Sequence, residues 1–162
     1  MSDPLATYIE DHLAGGTYAI NLLEAMRDQY AGDPLGQFAT SMLVEVSADH
    51  ATLKELAQRI GAGSSGIKSM AAWVGEKVSR LKLKPGASDG LGIFEALEVL
   101  VIGIHGKLAL WRALAAVSPG DTRLQNVDFA GLAARAEAQH VRMEDQRLEA
   151  ARVALRPSGR NN

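Results

Sequence analysis

The sequence predicts an all-α protein built as an antiparallel four-helix bundle. Apolar residues recur at steps of three and four through four long segments, breaks containing Pro, Gly and Asp separate those segments, and no run alternates apolar and polar at period two. With 162 residues, the chain has the size of one domain around one core. We place that domain over residues 1–155 and expect a disordered C-terminal tail over 156–162.

The first segment runs from about Pro4 to Tyr30, with Leu5, Ile9, His12 or Leu13, Gly16, Ile20, Leu23 and Met26 on one face. Asp3 before Pro4 is a capping residue followed by a proline at the first helical position, where a missing N–H costs nothing. Asp33 and Pro34 repeat that signal and open the second segment, which runs to about Ile60. Its seam is Leu35, Ala39, Met42, Val46, Asp49, Leu53, Leu56 and Ile60. One seam residue is therefore a carboxylate, which needs a partner if it is buried, and His12 and His50 are the nearest candidates.

Glycines and serines from Gly61 to Gly66 end the second segment, and an extra short amphipathic helix is expected over 67–83, with a solvated basic face. The third segment follows Gly90 and carries Phe94, Leu97, Val101, Ile104, Leu108 and Trp111. The fourth is expected from about Asp121 to Leu155, with a seam of Ala133, Glu137, His140, Val141, Glu144, Leu148, Ala151 and Leu155. Two short connections make two hairpins, and the long crossover between the second and third segments is what a ferritin-type bundle needs; an up-down-up-down bundle is the alternative topology.

Composition narrows the function. Seventeen basic residues against 19 acidic ones give a net charge of −2, which favours no nucleic acid and no anionic membrane as partner. Without cysteine there is no disulfide, thiolate metal site or cysteine nucleophile, so a metal would need carboxylates and imidazoles. The N-terminal residues lack a basic region followed by an apolar one, and Glu98, His105 and Lys107 interrupt the longest apolar run, so a cytoplasmic protein is expected.

Residues at equal chain distance from a hairpin turn share a level. Counted from a turn near Pro119, Glu98 lies 21 residues before it, and Glu137 and His140 lie 18 and 21 after it. Counted from Gly32, His50 lies 18 residues after the turn, level with Ala14 to Gly16. This pattern resembles the ferritin-like superfamily, whose di-iron members carry Glu, Glu-x-x-His, Glu and Glu-x-x-His on successive helices. Glu137 to His140 matches the last of these motifs and Glu98 the third, whereas Ser47 replaces the glutamate before His50, and the first helix offers Gly15, Gly16 and Ala19. The stretches from Thr17 to Met26 and from Glu98 to Lys107 also resemble the YciF-like branch, which is implicated in stress responses.

The resemblance implies a degenerate metal site of Glu98, Glu137, His140 and His50, with a single Fe, Mn or Zn ion as the candidate cofactor. The competing reading pairs the carboxylates with Arg135, Arg142 or Lys107. The leading expectation is a non-enzymatic, stress-related or scaffolding bundle that self-associates as a dimer. The alternative is a metal-binding oxidoreductase or iron-handling protein that recruits Asp49, His50 or Glu45, and a third reading is a helical interaction module. Trp111 and Trp73 are expected to be packing residues, and His105 a residue of the core edge.

Overall fold

A computed structural model describes residues 3–62 and 90–157. Among them are four α-helices, two 3-10 turns and no strand: α1 (Pro4–Gln29), α2 (Pro34–Ile60), α3 (Leu91–Val117) and α4 (Phe129–Ala154), with the turns Ser118–Gly120 and Thr122–Leu124 joining α3 to α4. No described helix is long and apolar enough to cross a membrane. The short helix expected over 67–83, and the chain of the crossover, lie outside the described residues, as does the expected tail beyond Pro157.

The first helix starts and the second stops as their sequence signals dictate, while Asp33 stands at the N-cap of α2 with Pro34 after it but makes no side-chain capping bond. The Asp3 carboxylate accepts the Leu5 N–H at 3.0 Å, with Pro4 just inside the helix. Gly61 ends α2 at φ +74°, where the Ala62 N–H reaches the Ala57 carbonyl and the Gly61 N–H that of Gln58. These two bonds form a Schellman cap, which requires a residue at ease in the left-handed region.

The fourth helix departs from expectation. It begins at Phe129, eight residues after Asp121. The Asp121 carboxylate accepts the Arg123 backbone N–H at 3.0 Å and also binds its guanidinium, so it closes a 3-10 turn instead of capping an α-helix. Leu124, 1% exposed, pins that turn to the core, and Asp128 caps α4 through the Gly131 N–H at 2.9 Å. The buried face also shifts by one residue, to Phe129, Leu132, Ala136, Gln139 and Met143. In a helix so rich in alanine and charge, apolar periodicity fits two neighbouring registers almost equally well.

The core has two parts. At one end Ile9 and Leu13 of α1 meet Leu53 and Leu56 of α2, Leu108, Trp111 and Leu114 of α3, and Phe129, Leu132 and Ala136 of α4. At the other end Leu22, Leu23 and Met26 meet Ala39, Met42 and Val46, then Ala96, Leu97, Leu100 and Ile104, and finally Met143. The pairing fixes directions: α2 and α3 both run against α1, and α4 runs with it. Burial of these side chains supplies the main favourable term, at about 1.5–3 kcal/mol for each fully buried Leu, Ile, Met or Phe.

Candidate functional site

Between the two core clusters lies a layer of polar side chains that joins the hairpins. From α2 come Glu45 and Asp49, one turn apart on one face. From the other hairpin come Lys107 on α3 and Arg135, Gln139 and Arg142 on α4. The Lys107 ammonium donates to Asp49 Oδ2 at 2.7 Å and to Gln139 Oε1 at 2.5 Å. Arg135 binds the other Asp49 oxygen, Oδ1. The Gln139 amide donates to Asp49 Oδ2 at 3.1 Å and Glu45 Oε2 at 3.2 Å, and Arg142 holds the same Glu45 oxygen at 2.6 Å.

The side chain of Asp49 has no exposed surface, and Gln139 is wholly buried. Two cations and an amide therefore satisfy the one seam carboxylate, as burial of a charge requires. These partners replace the His12 and His50 expected from sequence. Burial pushes the Lys107 ammonium below its usual pKa, opposed chiefly by the charge of Asp49, while the hydrogen bond from Arg142 holds the Glu45 carboxyl below its usual range.

The expected metal ligands are placed apart. Glu98 accepts from Arg147 at 3.0 Å, and Arg147 also holds Glu144. Glu137 stands exposed 3.8 Å from Arg112. His140 is half-buried with its ring centroid 5.5 Å from that of His105, which is exposed and not in the core edge. His50 faces α1, where its Nε2 lies 3.0 Å from the Leu13 carbonyl oxygen and 3.3 Å from Thr17 Oγ1.

The four residues are not brought together: Glu98 and Glu137 each face a guanidinium group, Arg147 and Arg112, and His50 is turned to Leu13 and Thr17 of α1. Among the described residues, no group of three His, Asp or Glu side chains could hold a metal ion. Level counting fails here because the connection from Ser118 to Asp128 is long, so that Glu98 meets Arg147 and not His140.

Around His50 the counting from Gly32 succeeds. Gly16 lies against the imidazole so closely that a Cβ there would come within 2.5 Å of Cδ2. The glycine thus lets the ring reach the Leu13 carbonyl across the α1–α2 seam. Burial lowers the pKa of both His50 and His12, His50 being also opposed to charging by Lys54.

Sequence reasoning named Lys107, Arg135 and Arg142 as partners of carboxylates, but it set them against Glu98 and Glu137 instead of Asp49 and Glu45, and it missed Gln139. The available signal was Lys107 between Ile104 and Trp111 on an otherwise apolar face, facing a helix whose seam contains Asp49. Comparison of the chain with protein-family models, curated proteins and solved structures gave no match.

Proposed function

We propose that the protein is a non-enzymatic ferritin-like bundle with a scaffolding or stress-related role, in which an internal ion-pair layer takes the place of a metal site. The observation that carries this reading is the Lys107 ammonium between Asp49 and Gln139. A protein-borne cation there neutralises the interior carboxylate and leaves no open coordination position for oxygen chemistry. The common direction of α2 and α3 supports the ferritin-type crossover, because the chain between them must return along the bundle. The extra helix of that crossover belongs to the same proposal.

Elemental analysis of protein purified without chelator tests the reading, followed by titration with Fe²⁺, Mn²⁺ and Zn²⁺. No stoichiometric metal is expected, and two equivalents of iron with oxygen consumption would overturn it. Self-association as a dimer is part of the proposal and is supported by Val141 and Leu148, seven residues apart on α4 and 57% and 41% exposed. Sedimentation equilibrium should show the dimer, and a strict monomer at every concentration removes this part.

A further inference from the structure

A cavity of about 200 Å³ opens where α1, α2 and α3 meet, beside the polar layer. It exists because α1 packs closely on α2 and only loosely on α3. Its walls are largely apolar, with Val46 and Leu53 from α2 and Ile104, Leu110 and Trp111 from α3. Small residues widen it on the other sides. On α3, Gly103 stands near the middle of the arc that the lining residues span, and on α1 Gly15 and Ala19 hold the corresponding places. Both glycines lie within helices, where alanine is the better residue, and a Cβ at either would meet nothing within 4 Å among the described residues. Close packing demands Gly16 but neither of these two, so the space they leave is unexplained by the fold.

The charges of the wall decide what that space suits. Both Asp49 oxygens are taken by Lys107, Gln139 and Arg135, and the Lys107 ammonium is held in turn by Asp49 and Gln139. His50 Nε2 faces the Leu13 carbonyl, burial favours the neutral forms of both His50 and His12, and Asp11 is exposed at the rim. The interior of the cavity thus presents no charge without a counter-charge, and a charged guest would lose its hydration with nothing to replace it. Water is poorly held there too, because it needs several polar partners and those of Asp49, Lys107 and His50 are already engaged. Displacing such water by an apolar group gains affinity. A cavity of about 150 Å³ with apolar walls accepts benzene, so this one has room for a single ring with a short substituent.

We propose that this cavity binds a small uncharged apolar molecule, a single ring with a short alkyl substituent, seated between the glycine-lined faces of α1 and α3 and the apolar wall of α2. The inference goes beyond the scaffolding reading and does not depend on it.

The test uses the full chain, with toluene as probe and with benzoate and benzylammonium, the same ring carrying either charge, as controls. Isoleucine methyl signals are followed by two-dimensional NMR, that of Ile104 being assigned with Ile104→Val. Toluene should shift the Ile104 signal saturably and leave that of exposed Ile102 in place. Each charged analogue should bind at least about tenfold more weakly. Gly103→Leu fills the space and should abolish the Ile104 shift while keeping cooperative unfolding, and Ala19→Leu repeats the test from the opposite wall. No saturable Ile104 shift up to the solubility limit of toluene would overturn the proposal. So would unchanged toluene binding in either variant, or a charged analogue binding as tightly as toluene.

Discussion

The two hairpins of this bundle answer the same sequence argument differently. In the first, α1 and α2 join through a turn of a few residues after Tyr30, and His50 arrives beside Leu13, Gly16 and Thr17, the level expected from counting. In the second, two 3-10 turns and an extended stretch separate Val117 from Phe129, and Glu98 arrives opposite Arg147, seven residues beyond His140. At about 1.5 Å per residue that is an error of roughly 10 Å, enough to dismantle any proposed ligand set. Level counting holds only when the connection adds no length that the sequence hides.

The hairpins also differ in charge where they face each other. The first contributes the carboxylates Glu45 and Asp49, and the second the cations Lys107, Arg135 and Arg142. Each half alone would bury like charges, so the layer fixes how the two halves dock. Asp49→Ala breaks this match most severely, because it leaves Lys107 buried with no carboxylate partner. It should cost about 3–5 kcal/mol in urea unfolding. The double change Asp49→Leu with Lys107→Met should recover most of that loss, since apolar replacement of a whole buried pair is often neutral. A double variant as unstable as the single one would show that the layer does more than neutralise itself.

Glycines sharpen the contrast at smaller cost. Gly16→Ala in the first hairpin drives a Cβ into the His50 ring and should destabilise by about 1–3 kcal/mol, the usual price of overpacking. Gly106→Ala in the second meets open space and should stabilise by up to about 1 kcal/mol through helix propensity. Thermal unfolding of the two variants should therefore move in opposite directions, and equal shifts would mean that the His50 ring yields to a methyl group at position 16 without cost.

The described imidazoles with lowered pKa, His12 and His50, both lie in the first hairpin. Burial favours their neutral forms, so between the folded pKa and the ordinary value of 6.5 the unfolded chain binds more protons than the folded one. Stability should be fully present above pH about 6.5 and fall as pH drops through the folded values. Urea midpoints from pH 7.5 down to 5 check this. In His50→Gln the slope should flatten, because the amide can still donate to the Leu13 carbonyl without titrating.

Much of this was legible beforehand, for identifiable reasons. The α2 seam from Ala39 to Leu56 is buried as read, Asp49 included, because large apolar residues there leave one consistent face. Asp–Pro starts and the Gly61 stop are local chemistry and need no tertiary information. The α4 face was misread because its alanines carry little directional signal, and because Asp121 and Asp128 are both competent caps whose choice depends on Leu124 reaching the core. The partners of Asp49 depend in turn on that choice, since Gln139 faces inward only in the observed register.

The smallest expected effect belongs to Glu137, which the motif Glu-x-x-His had made central. Its carboxylate is 64% exposed and 3.8 Å from an equally exposed Arg112, a distance and setting in which solvent screens nearly all of the attraction. Glu137→Ala should leave the urea midpoint within measurement error and keep the cooperativity of unfolding. The contrast with Asp49→Ala is what matters, because both residues are acidic and both belong to the sequence-derived seams. If Glu137→Ala proved as damaging as Asp49→Ala, α4 would have to be rotated by about 100° per residue of register, bringing His140 inward and Gln139 out. The ion-pair layer would then lose its amide, and the separation of the two hairpins' charges with it.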